Sequence, residues 1–391
     1  MIHRWRRVSI LCASILLLAG CRQRDFPDYP SDYREYAYVT NGGSNTVTVL
    51  DLVNVRRDRE LPVGTNPSGV AVSPIRNEIY VVNSGDGTIS VIDSQKNTVT
   101  ATIPVHRKPY FIDVSADGHR GYVANSGSNN VSILDLEARK EIGVVGTGES
   151  PGMARIAPDS STLLVTNRAG GSVTLIDPHT LRVRSVFPGC TGATDAVILP
   201  TSSKAFIACS GGHQVMVLAL ARPTPMNDLE KSDHLLDLLD VGQTPVDLAM
   251  KPDGGEIFVS NFDSNTVSEI ATGTNEVGGA SLIGAHPARG IVSADNSLLW
   301  VSNFSANTVG AYSIDDGKRI NAVQVGDGPD AMAFSSAGHL LLVANSRSGD
   351  VSVLRTTSYS PKGELRVGSL FTMLPAARGP NAIAVKAFKI P

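Results

Sequence analysis

Residues 38–52 read YVTNGGSNTVTVLDL: an aromatic, two small β-formers, an asparagine, a polar glycine-rich turn, then alternating Val and Thr. Alternation turns one face of a strand toward a core, and a Gly/Asn/Ser cluster between two such runs marks a hairpin. Variants return as YVVN, YVAN, LVTN, FIAC, FVSN, WVSN and LVAN, ending at Asn83, Asn125, Asn167, Cys209, Asn261, Asn303 and Asn345. Counted from Asn41, the steps are 42, 42, 42, 42, 52, 42 and 42 residues. Self-similarity at this period belongs to propellers and solenoids, and the strand-rich content of each unit selects the propeller.

One repeat, from Pro67 to Val105, parses into four antiparallel strands: PSGVAVS (A), EIYVVN (B), TISVID (C) and VTATIPV (D). Strand A begins at Pro67, Pro109, Pro151, Ala193, Pro245, Pro287 and Pro329, and an eighth copy, PNAIAVK, occupies 380–386. The first YVTN has no strand A before it. The C-terminal copy is therefore expected to complete the N-terminal blade, closing the ring and removing its open edges. Residues 36–390, less insertions of 10 and 9, come to eight periods of 42. The fold class is all-β, a propeller of eight four-stranded blades, with seven as the alternative. The repeated asparagine reads as a turn-former. The insertions, near ARPTPMNDLEKSDHLL and within TTSYSPKGELRVGSLFTM, fall between strands C and D and read as loop growth.

The chain of 391 residues is 42% apolar and 18% charged, an ordinary globular composition large enough for a sizeable core. Residues 1–20 read separately: Arg4, Arg6 and Arg7 precede the apolar run VSILCASILLLAG, the layout of a secretory signal too short for a comfortable transmembrane helix. Residues 21–35 read as a tether and 36–391 as the propeller. Three of the 34 Lys and Arg and none of the 37 acids lie in 1–20, leaving 31 against 37 and a formal charge of −6. Such a balance gives no electrostatic footprint for duplex nucleic acid.

Leu18-Ala19-Gly20-Cys21 resembles the lipobox of bacterial lipoproteins. The resemblance implies acylation of Cys21 and export, with a membrane anchor that does not span the bilayer. Arg22 stands where an inner-membrane retention signal has Asp, which implies the outer membrane, periplasmic or surface-facing. The repeat, through its PSGVAVS, YVTN, TISVID and IPV segments, resembles the YVTN family of β-propeller repeat proteins over nearly all of 36–391. That likeness is specific for fold and poor evidence for activity, since surface-layer proteins, nucleic-acid binders and catalytic or cofactor-bearing propellers share the architecture.

In a propeller, strand A lines the central channel, and the D–A and B–C loops share one face. Strand A carries Asp113, Arg155, Asp195, Asp247, Arg289 and Asp330. Around one axis these could bind a polar ligand or a metal, or pair between blades, Asp113 with Arg155 and Asp247 or Asp330 with Arg289. On the loop face stand His106, Arg107, Lys108 and Tyr110, with His213 and, four blades from His106, His286. Opposed histidines could flank a planar cofactor, although no CxxCH for covalent haem is present. Cys190 and Cys209 belong to one blade; export allows a disulfide, and the register sets Cys190 a few residues past direct pairing, so the bond stays open. There is no GxSxG, HExxH, P-loop or CxxC. The favoured expectation is a membrane-anchored scaffold binding a protein, glycan or small ligand, with no cofactor. The alternative is an enzyme or redox-cofactor carrier resembling lactonase-type or haem d1-type propellers, with a haem-like group or a metal at the channel acids or loop histidines.

Overall fold

The computed structural model describes residues 27–222, 231–359 and 365–390. The expected signal peptide, Cys21 and the middles of both insertions lie outside the described residues. Among the described residues, thirty-two strands form eight four-stranded antiparallel sheets, each ordered A-B-C-D. Blades 2 to 8 begin with strands A at Pro67–Val72, Pro109–Val114, Pro151–Ile156, Ala193–Ile198, Pro245–Met250, Pro287–Val292 and Pro329–Phe334. Blade 1 joins Tyr33–Asn41, Thr46–Asp51 and Arg56–Pro62 to the C-terminal Pro380–Lys389, with Tyr38 opposite Ala384 and Val39 opposite Ile383. The ring is thus closed by the last strand, as the missing first strand A required.

The propeller starts earlier than the sequence suggests, because residues 33–35, expected in the tether, already belong to strand B of blade 1. Buried Glu35 explains this: its carboxylate accepts from the Ser336 amide in the A–B turn of blade 8 and from the Tyr33 hydroxyl. Tyr29 stacks on Tyr33 at 4.8 Å and meets His339 Nε2 with its hydroxyl at 3.1 Å. The N-terminal segment therefore docks on the face carrying the A–B and C–D turns.

Side chains of strands B and C alternate between the two neighbouring blades, so each seam between blades is a separate apolar core. Tyr38, Val47 and Val49 of blade 1 meet Ile79, Val81 and Ile92 of blade 2 in one such seam. Full burial of side chains of this size is worth about 1.5–3 kcal/mol each, which makes the seams the main source of stability. Strands D face solvent and carry charges on the outer edge, as in Arg56–Pro62, which discourages pairing with another chain.

The repeated asparagine is not the turn-former. It ends strand B buried, and its Nδ2 donates to side-chain oxygens five and, in most blades, seven residues on: Asn41 to Thr46 and Thr48, Asn83 to Thr88 and Ser90, Asn261 to Thr266 and Ser268. Positive φ falls four residues later, at Asn45, Gly87, Asn129, Gly171, His213, Asn265, Asn307 and Gly349. In four of these turns the side chain also accepts the amide that ends the next D–A loop, as Asn45 Oδ1 does from Asn66 N at 2.9 Å.

Both insertions do more than lengthen a loop. Beside the first, Asp233, whose side chain is fully buried, takes Arg184 of blade 4 in a two-pronged contact (2.6 and 2.7 Å), the strong geometry for a guanidinium and a carboxylate. Beside the second, the lengthened C–D hairpin reaches blade 7, where Asn321 Nδ2 donates to the carbonyls of Val367 and Gly368 at 2.9 and 2.8 Å. Each insertion therefore fastens its blade to the one before it.

Candidate functional site

A channel cavity of about 440 Å³ is lined by residues from all eight strands A, among them Arg155, Asp247, Arg289 and Asp330. Asp113 and Asp195 turn aside from it. In three blades an aspartate reaches the next strand A and accepts a backbone amide: Asp113 from Ile156 at 3.1 Å, Asp195 from Leu248 at 3.1 Å, Asp247 from Gly290 at 2.7 Å. Arg289 pairs with Asp247 at 3.0 Å and Asp330 at 3.6 Å, as one of the two readings of the sequence has it. Arg155 instead approaches Asp195 at 3.7 Å, with its guanidinium over the Phe111 ring at 4.5 Å, and forms no ion pair with Asp113. The charges thus run as clasps from blade 3 to blade 8, while blades 1 and 2 offer Asn381 and Ser68.

Burial pushes the Asp113 and Asp247 carboxyls up from the ordinary range, opposed by Arg155 and Arg289 respectively, with Asp195 adding to the rise at Asp247. For Arg289, burial alone would loosen the proton, but Asp247, Asp330 and Asp195 outweigh it and hold the guanidinium above its usual value. Removing a partner from such a cluster leaves a charge uncompensated, so these residues bind the ring whether or not they also bind a ligand. Among the described residues no three His, Cys, Asp or Glu side chains stand close enough to hold a metal ion.

The D–A/B–C face carries a groove of about 640 Å³ between blades 2 and 3, lined by His106, Arg107, Lys108, Asp86 and Ser128. Among the described residues neither Arg107 nor Lys108 forms an ion pair. Tyr110 lies outside this groove: it sits in strand A, 44% exposed, and lines the channel cavity. The histidines are not brought together. His106 Nε2 faces Glu141 at 3.4 Å, while His286 stacks on Phe262 at 4.5 Å with its Nδ1 2.8 Å from the Ser305 hydroxyl. His213 fills the positive-φ turn position and takes the asparagine's role, its Nδ1 accepting from Thr244 N at 3.4 Å.

Cys190 and Cys209 form a disulfide with a Cα separation of 4.8 Å. Cys190 lies three residues before strand A, where five of the other blades have Gly64, Gly148, Gly242, Gly284 and Gly326, each so close to its own strand-B asparagine that a Cβ would clash. The bond joins the same two backbone points covalently. It also explains why Cys209 replaces the asparagine and Met216 the hydroxyl that the asparagine would bind.

Phe262, Phe304 and Arg347 are not among the sequence candidates. Phe262 lies 6.3 Å from Phe304, whose ring is covered by the Arg347 guanidinium at 4.4 Å, so with His286 they make an arc over blades 6 to 8. The signal is present in the repeat: the residue after the strand-B asparagine is Gly42, Ser84, Ser126, Arg168, Ser210 and Ser346 in the other blades.

The family model described as YNCE-like beta-propeller matches residues 120–386, and the chain belongs to that family. No curated protein matches in sequence. Among solved structures, the chain is similar to a dihydro-heme d1 dehydrogenase, NirN, in complex with DHE (14% identity, TM-score 0.69, covering 92% of this chain and 76% of that one). It is also similar to a putative 6-phosphogluconolactonase from Bacteroides fragilis (15% identity, TM-score 0.60, 92% and 100%). A third match is a functionally unknown protein from Desulfotomaculum acetoxidans (14%, TM-score 0.59, 90% and 98%). At these identities the likeness is one of fold.

Proposed function

We propose that the protein is an exported, lipid-anchored scaffold of the outer membrane that binds a protein, glycan or small ligand on its D–A/B–C face. The observation that carries this reading is the half-exposed aromatic arc of Phe262, His286 and Phe304 on loops that are otherwise small and polar. Exposed aromatics with no core to fill are the usual anchors of recognition surfaces. The groove of Arg107 and Lys108 on the same face adds positive charge for an anionic group of the partner. The channel acids, by contrast, are engaged between blades. Docking of Tyr29 and Glu35 on the opposite face favours an orientation in which acylated Cys21 holds that face toward the bilayer and leaves the loop face outward.

Crosslinking in intact cells tests the reading. Wild type should capture partners that Phe262→Ala/Phe304→Ala and Arg107→Glu/Lys108→Glu variants lose at equal expression. Recovery of the same partners by all three would place the binding surface elsewhere, and a visible absorption band in protein purified from the periplasm would favour the cofactor-carrier alternative.

A further inference from the structure

The seam between blades 6 and 7 departs from the other seams at several points at once. The central residue of strand C, facing the seam, is Val49, Val91, Ile133, Leu175, Val217, Ala311 or Val353 in seven blades, all buried. In blade 6 it is Glu269, which keeps its access to solvent. Opposite it on strand D lies Gly279, at φ 154, beside Gly278, and a Cβ at either would meet nothing within 4 Å. The matching Gly143 of blade 3 is covered by Leu181, which reaches back from the C–D turn of blade 4.

That turn position usually plugs the preceding seam. Asn97 accepts the Tyr38 hydroxyl of blade 1, Arg139 pairs with Glu78 of blade 2 at 2.7 Å, and Asn275 takes Lys204 of blade 5 at 2.9 Å. In blade 7 the position is Gly317, which cannot reach. The result is a cleft of about 250 Å³ with walls of Phe258, Val267, Leu299, Tyr312 and Ile314. Tyr312 is fixed there by its hydroxyl, which donates to the buried Ile283 carbonyl at 2.8 Å.

We propose that this cleft binds a small organic cation with an apolar body, the body lying between Phe258, Leu299 and Tyr312 and the cation meeting the Glu269 carboxylate. Glu269 is the one charged residue in the lining. Around it, Glu256 adds to the negative field at Glu269 and is opposed by Lys251, which pairs with Glu256 at 3.2 Å, while Arg319 lies exposed on the outer strand opposite Tyr312. Partial burial, then Glu256, hold the Glu269 carboxyl above its ordinary value, the direction that an arriving cation would reverse. The aromatic walls can also face a cation directly. An apolar cleft with one convergent charged group is the usual build of a small-ligand site, and a volume below about 300 Å³ suits a ligand smaller than drug size. The site is independent of the channel and of the loop face.

The test is titration of the protein with phenethylammonium and with phenethyl alcohol, followed by calorimetry and by amide shifts. The ammonium probe should bind at a single site, weaken about tenfold when the hydroxyl replaces the ammonium, and weaken about tenfold in Glu269→Gln. Gly317→Leu copies the plug of Leu181, a leucine at φ 56, and should abolish binding of both probes. Equal affinity for the two probes, affinity unchanged in Glu269→Gln, or no saturable binding of the ammonium probe would each overturn the proposal. Glu269→Gln keeps the size and polarity of the side chain, so the answer does not rest on whether the leucine variant folds.

Discussion

The seam between blades 2 and 3 and the seam between blades 6 and 7 are built from the same strands in the same register, yet one is sealed and the other is not. In the first, Tyr80, Val82, Ile89, Val91 and Ile103 are fully buried. In the second, Phe258, Val267, Ile283, Val292 and Tyr312 each stay 5 to 7% exposed. Strand order and register are the same, so the difference comes from a few residues: a glutamate in place of an aliphatic residue, and glycine where a plug would sit. A propeller can therefore gain a crevice without a change of topology, because each seam is an independent core.

The largest effect should come from carrying the open seam's glutamate into the sealed one. Val91→Glu places an unpaired carboxylate among fully buried neighbours and should cost about 3–5 kcal/mol in urea unfolding. A loss below about 1 kcal/mol would mean that seam sealing is not what distinguishes the two regions. Next comes a change within one blade: Cys209→Ala removes a crosslink spanning 19 residues and should cost about 3 kcal/mol, read in the same experiment. Restoring the repeat's own latch in a Cys190→Gly/Cys209→Asn/Met216→Ser variant should recover part of that loss.

The smallest effect concerns pH. Partial burial raises the Glu269 carboxyl above its ordinary value, so the folded chain holds that proton more tightly than the unfolded one. The resulting stability is present below the ordinary glutamate range and is lost as pH rises through the folded value. Glu269→Gln has no such dependence. The midpoint difference between variant and wild type should be near zero in acid and grow in favour of the variant toward neutrality; a difference independent of pH would contradict this.

Much of the fold was legible because a repeat writes its geometry once per period. The step of 42, the solitary first YVTN and the late PNAIAVK are linear facts, and a ring with one strand missing at one end and one to spare at the other has a single closure. The site was legible in part. Asp113 with Arg155 looked like a pair because they sit at the same place in adjacent blades, but the guanidinium turns the other way, to Asp195, which no spacing reveals. His213, a loop-face candidate from the sequence, occupies the positive-φ turn position, which its place in the repeat shows only once the turn is seen. Phe262, Phe304 and Glu269 were readable as departures from the repeat, but their meaning depends on what stands next to them in the neighbouring blade.

By itself, then, the sequence determined the blade, the number of blades and the way the ring closes, since these follow from local alternation, turn residues and a period, all carried along the chain. The tertiary structure alone decided which charges clasp which strand, that Cys190 reaches Cys209, and that one seam stays open. Those outcomes depend on side-chain direction and on contacts between residues about forty positions apart, where a missing plug on one blade is felt only in the core of the blade before it.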